Sequence, residues 1–278
     1  MARIENHKYT VEEAFRECFY VVPDYQREYV WGEREVRQLL DDINEQVGAG
    51  SQSEYFIGTV LVSPGSRRGE FDVIDGQQRL TTLFLLLSAL KQKFRGEPQH
   101  QTINALLSTS YTDAQGDTRT SLKLDPRYEN ASEVVQAIIA ADATAEDTRT
   151  HLDAKGIQRF GSLENLLAAY GTIHTYLDEN YQDAASRKRY WGYLATNVVF
   201  IQISTEVSSA LKIFETINER GVGLNPMDLL KNLLFTRVQK DEFSKLKDEW
   251  KKITKPLEKA GEKPLRFLRY FLMANYVI

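Results

Sequence analysis

The run Phe71-Asp72-Val73-Ile74-Asp75-Gly76-Gln77-Gln78-Arg79-Leu80-Thr81-Thr82 decides how the chain folds, because a strand, a turn and a helix start follow one another in it without a break. Phe71 to Ile74 reads as a strand ending at an acidic residue. Gly76 makes the turn, and a long helix is predicted from about Gln77 to Phe94. The first N–H groups of such a helix have no intrahelical acceptor and carry the positive end of the macrodipole, while a glycine lets a ligand approach the backbone closely. Gln77, Gln78 and Arg79 add side-chain donors, and a guanidinium can grip phosphate oxygens in a bidentate way. The same residues also suit a plain structural turn in which Asp75 caps the helix. One glycine is not a Walker loop.

Upstream, Tyr55 to Val62 is a second strand, separated from Phe71 by a Pro64-Gly65 turn and a basic loop at Arg67-Arg68. A helix is predicted from Glu33 to Val47, with Val36, Leu39, Leu40, Ile43 and Val47 at helical spacing. Thr10 and Glu13 have capping-box spacing ahead of a short helix from about Val11, and Phe19 to Val22 follows as a strand. Between that strand and the helix, the loop Asp24 to Gly32 holds Tyr25, Gln26, Arg27, Tyr29 and Trp31. Its aromatic faces can sandwich a base, with Arg27 reaching phosphate. Equally, Tyr29 and Trp31 are the kind of residue that anchors a loop to a core.

Downstream, residues 96–161 turn polar and read as mostly helical, with patches at Ile103 to Leu107 and Ala131 to Ala141. Helices are predicted at Leu163 to Tyr181 and Arg187 to Leu194, and the β-branched run Val198 to Ile203 as a buried strand returning to the first sheet. A third candidate follows at Leu211 to Asp228. Gly221 sits where a helix C-cap is expected, Asn225 caps a new helix, and Pro226 takes its first position. Helix grammar leaves Glu215, Asn218 and Arg220 unexplained, and these are suited to metal, water or phosphate, or to a solvated face. The expected class is α+β: a small mixed α/β unit over residues 1–95, packed with a larger mainly helical region over 96–278.

Composition limits the function. Hydrophobic residues make up 42% and charged residues 27% of the chain, a globular balance. A net charge of −4 argues against a whole-surface nucleic-acid footprint. One cysteine, Cys18, and four scattered histidines give neither a disulfide nor a zinc-ligand spacing, which fits a cytoplasmic protein. No secretory signal is expected in the polar Met1 to Glu13, and the apolar stretches fall far short of the ~20 residues that span a bilayer. The chain stops within an apolar segment, Phe267 to Ile278, as expected of a cut longer protein or a split subunit.

Taken together in this order, Pro23 to Trp31 (Pro-x-Tyr-Gln-Arg-x-Tyr-x-Trp), Asp75 to Arg79 (Asp-Gly-Gln-Gln-Arg), Phe214 to Gly221 (Phe-Glu-x-Ile-Asn-x-Arg-Gly) and Asp228 to Asn232 (Asp-Leu-Leu-Lys-Asn) resemble the nucleotide-binding half of GmrSD-type, modification-dependent restriction enzymes. The resemblance runs from about Tyr9 to Phe235. It implies a ParB/sulfiredoxin-like nucleotide fold, hydrolysis of a nucleoside triphosphate, a role in phage defence against modified DNA, and a nuclease partner of the His-Asn-His type in the same chain or a second one.

On that basis Tyr25, Gln26, Arg27, Trp31, Gly76, Gln77, Gln78, Arg79, Thr81, Arg220 and Gly221 are the expected nucleotide-binding set. Asp75, Gln78, Glu215 and Asn218 are the expected catalytic set, with Asp75 on Mg2+. Arg79→Ala is expected to abolish triphosphate binding and leave the fold intact. A non-catalytic nucleotide- or DNA-binding scaffold is the rival reading, and oligomeric assembly stays open. A redox role would need a cysteine in the phosphate loop, and no nuclease ligand set is present, so the chain alone is expected not to cut DNA.

Overall fold

A computed structural model describes residues 4–24, 26–49, 53–112, 114–128, 130–141, 144–157, 161–206, 234, 242–260, 262 and 264–275. The chain divides into two compact units, 1–24 with 28–206 and 25–27 with 207–278. The boundary expected near residue 95 falls inside the first of them.

The first unit is built on a mixed six-stranded sheet. Its strands are β1 (Glu5–Thr10), β2 (Phe19–Val22), β3 (Tyr55–Pro64), β4 (Glu70–Asp75), β7 (Leu124–Pro126) and β8 (Val198–Ser204), in the order β1-β8-β3-β4-β2-β7. β8 lies parallel to β3 and antiparallel to β1, β3 and β4 are antiparallel, and β4, β2 and β7 are parallel. Val198 to Ile203 therefore does return to the sheet, between β1 and β3, and Val198, Val199 and Phe200 are buried there. A separate hairpin, β5 (Ser108–Thr112) with β6 (Thr118–Leu122), occupies part of the segment expected to be helical.

Local chemistry explains the helices. Helix α1 (Val11–Glu17) opens with the capping box foreseen: Glu13 N donates to Thr10 Oγ1 at 3.2 Å, and Thr10 N to Glu13 Oε2 at 3.0 Å. Helix α2 (Glu33–Gly48) buries Val36, Leu39, Leu40 and Ile43. Helix α3 (Gln77–Lys93) is apolar on nearly every face, and the continuous run from Leu80 to Lys91 is buried. A helix buried all round sits inside a core rather than on it. Helix α3 packs against α4 (Pro98–Leu107), with its proline in the first turn, and α7 (Ser162–Asn180); α5 (Ala131–Ala141) and α6 (Ala145–Ala154) pack on each other and on α7, and α8 (Ala184–Thr196) packs against α1 and α2. Even the one ammonium on the buried face of α3 is satisfied, since Lys91 Nζ donates to Ile139 O at 2.7 Å.

In the second unit, the described helices are Phe243–Lys259 and Pro264–Asn275. Phe267, Tyr270, Phe271, Leu272 and Met273 are exposed on the latter. No helix is long and apolar enough among the described residues to cross a membrane.

On α7, His174 lies edge-on to the Tyr170 ring, with its Nε2 buried and without a hydrogen-bond partner. Burial first, then nearby Lys93, pushes its pKa down to about 4, against a small opposing pull from Asp178. The folded value lies below the ordinary 6.5 of the unfolded chain, so the neutral ring contributes stability that is present above pH 6.5 and lost as pH falls through 4. At ~1.4 kcal/mol per pKa unit this is roughly 3–4 kcal/mol. Urea unfolding at pH 7, 5.5 and 4.5 should show that His174→Gln has a shallower acid loss than the parent; parallel pH curves would remove His174 as a contributor.

Candidate functional site

β4 ends at Asp75, paired with Leu61, but β3 continues from Leu61 back to Tyr55 with no β4 residue beside it. Carbonyls on that side of β3 need other donors. The chain supplies them by turning through Gly76, at φ +88°, directly into α3. A side chain at this position would press on Val60 Cγ2 at 3.0 Å and Val60 Cα at 3.2 Å in addition to straining the left-handed backbone. One turn later the Arg79 guanidinium reaches back to β3: Nη1 donates to Ile57 O, and Nη2 to Thr59 O at 2.7 Å.

β3 is shaped to receive it. Its pairing with β8 shifts between Phe56 and Thr59, and Gly58 within that irregularity has φ +106°. A Cβ on Gly58 would lie 1.9 Å from Arg79 Nη1, so the guanidinium occupies the space that any larger residue would fill. Burial lowers the Arg79 pKa and raises that of Asp75, while each charge partly offsets the shift of the other. The Gly76 backbone N–H also hydrogen-bonds the Asp75 carboxyl.

Gln78 acts on the other side. Its Oε1 accepts from Val30 N at 2.9 Å and Trp31 N at 3.3 Å, and its Nε2 donates to Glu28 O at 3.0 Å. Tyr29 is buried in the core, its hydroxyl 2.8 Å from Thr82 Oγ1, which itself donates to Gln78 O at 2.8 Å. Asn165 Nδ2 donates to Tyr29 O at 3.3 Å, and a backbone hydrogen bond joins Tyr29 to the Tyr128 hydroxyl. The stretch Glu28 to Trp31 is thus a fixed wall. Tyr29 is an anchor, as one of the two sequence readings had it, and Trp31 is half-buried against the same core.

What this arrangement leaves for a ligand is the start of α3. The first intrahelical bond is Leu80 N to Gly76 O at 3.0 Å, so the N–H groups of Gln77, Gln78 and Arg79 have no partner within the helix, and no side chain caps it. They stand at the carboxyl edge shared by the parallel strands β4, β2 and β7, where ligands of α/β sheets collect. Gln77 and Thr81 are buried in this first turn.

The remaining expected residues are distributed differently. Gln26, buried, and Arg27, exposed, belong to the second unit, while Tyr25, Glu215, Asn218, Arg220 and Gly221 lie outside the described residues, as does the rest of the 214–232 stretch. Among the described residues no cluster of three or more His, Cys, Asp or Glu is arranged to hold a metal ion. Cys18 is buried near Tyr9 and Tyr20, and burial pushes its thiol pKa up, which leaves it without thiolate character. Sequence reasoning did not foresee Gly58, Thr82 or Asn165 as parts of the site; only the unusual glycine inside a strand pattern could have flagged one of them.

A family model described as GmrSD restriction endonuclease, N-terminal domain, matches residues 7–235. The chain belongs to this family. The match takes in the β4–α3 turn, the 28–31 wall and the sheet. An uncharacterized protein of Methanocaldococcus jannaschii is 22% identical over 252 residues, an alignment covering 82% of this chain and 40% of that relative. The chain spans about two fifths of the length of this relative.

The geometry gives Arg79 a role that the sequence alone did not assign. Leaving a buried carbonyl without a donor costs ~1–3 kcal/mol, and Arg79 serves two. A charged hydrogen bond contributes ~1.5–3 kcal/mol, so one phosphate contact does not offset the loss of both carbonyls. Arg79→Ala should lower the unfolding free energy by about 2–4 kcal/mol in urea titration. A variant as stable as the parent would restore the expectation that the fold is indifferent to Arg79.

Proposed function

We propose that this GmrSD N-terminal domain binds a nucleoside triphosphate at the turn between β4 and α3 and hydrolyses it, as the sensor or regulator of a modification-dependent restriction system. The observation that carries the reading is the start of α3: a left-handed glycine, helical N–H groups with no intrahelical acceptor and no capping side chain on that glycine, beside a half-buried carboxyl, at the carboxyl edge of parallel strands. Gln77, Gln78, Arg79 and Thr81 form the phosphate side of the site, with Tyr25, Gln26, Arg27 and Trp31 on the base side. The family motifs give Glu215 and Asn218 a catalytic part and Arg220 and Gly221 a nucleotide-binding part in this reading.

Magnesium carried by a triphosphate takes one or two carboxylates together with phosphate oxygens and water, and Asp75 is the carboxylate this loop offers. The ion would supply charge neutralisation for phosphoryl transfer. Asp75 is also the proposed catalytic carboxyl of this loop; burial raises its pKa, and the Gly76 N–H and the Arg79 charge oppose that rise. The family supports a restriction role; cleavage is assigned to a His-Asn-His nuclease in the rest of the protein or a second subunit. Phage DNA bearing modified bases is the proposed target, in the cytoplasm, and the sheet is proposed to be ParB/sulfiredoxin-like.

A binding scaffold without turnover is the second reading, favoured by how completely Gln78 and Arg79 are engaged by backbone groups. Phosphate release from ATP, GTP, CTP and UTP with magnesium separates the two. Asp75→Asn should reduce turnover about 100-fold while the protein stays folded with a modestly lowered urea midpoint, because the amide oxygen still accepts from Gly76 N–H although Arg79 loses its facing charge. Binding without release by the parent protein would establish the scaffold instead.

A further inference from the structure

Of the five residues in the Asp75 to Arg79 turn, two have side chains already committed to backbone partners on opposite sides. Gln78 uses both ends of its amide on Glu28, Val30 and Trp31. Arg79 uses two guanidinium nitrogens on Ile57 and Thr59, and Gly58 leaves the gap that the guanidinium fills. We propose that Gln78 and Arg79 are positioning residues, not phosphate ligands, and that they hold the 28–31 loop and the 57–59 bulge as the two walls of the site. This deepens the nucleotide-binding reading and rests on it.

Three features of the geometry point the same way. The space at Gly58 is matched to the guanidinium in its present position, since a Cβ there would meet it at 1.9 Å. The two carbonyls it serves lie where β4 has ended, so no strand can replace it. Both ends of the Gln78 amide are used along one loop, with the oxygen accepting and the nitrogen donating. A side chain fixed in this way directs the shape of the site.

The test combines two measurements on the full chain carrying Arg79→Lys or Gln78→Met. Lysine keeps the charge but not the fork that spans two carbonyls; methionine keeps length without the amide. In the free protein, amide hydrogen exchange should accelerate at least tenfold at 57–60 for Arg79→Lys and at 28–32 for Gln78→Met, with other protected segments unchanged. Unchanged exchange at those walls overturns the proposal whether or not nucleotides bind. Calorimetric titration then uses inorganic tripolyphosphate and the four common ribonucleoside triphosphates. Nucleotide affinity should fall about tenfold in both variants, and tripolyphosphate affinity should stay within threefold of the parent. A tenfold loss for tripolyphosphate in either variant makes that side chain a phosphate ligand and overturns its positioning role. If the parent binds no triphosphate at all, the nucleotide reading fails, while faster exchange at the walls would still establish the bracing.

Discussion

β4 stops at Asp75 while its neighbour β3 runs on to Tyr55, and this difference in strand length is the constraint from which the site follows. A sheet edge inside a protein cannot be left with carbonyls facing nothing. Arg79 supplies the missing donors, but it can do so only if α3 begins immediately after β4 and if β3 makes room. The left-handed Gly76 provides the first condition and Gly58 the second. The proposed phosphate-binding turn and a structural repair are therefore built from the same five residues.

The rest of the first unit holds that turn still. α3 is buried on nearly all sides, so its first turn cannot shift without disturbing the core. Asp75 and Arg79 are two opposite charges taken out of water together, each moderating the cost of the other's burial. The 28–31 wall is held through Gln78, Thr82, Asn165 and Tyr128, which between them engage backbone or side-chain groups of four successive residues. Such pre-organisation is what lets weak backbone donors bind an ion without paying ordering entropy at the moment of binding.

Where the pattern was local, the sequence was legible. The capping box at Thr10 and Glu13, the amphipathic α2, the strand–glycine–helix run at β4 and α3, and the β-branched β8 all carry their signal within a few residues. β1 was missed because it is a polar edge strand, mostly exposed, that is specified by pairing with β8 rather than by its own alternation. The β5–β6 hairpin was missed for a similar reason: its Ser- and Thr-rich strands lie largely in solvent. At the site, the identity of the turn was visible but the direction of its side chains was not. Whether an arginine faces a ligand or a carbonyl depends on which carbonyls a strand 20 residues earlier has left unpaired, as in the bond from Arg79 to Thr59.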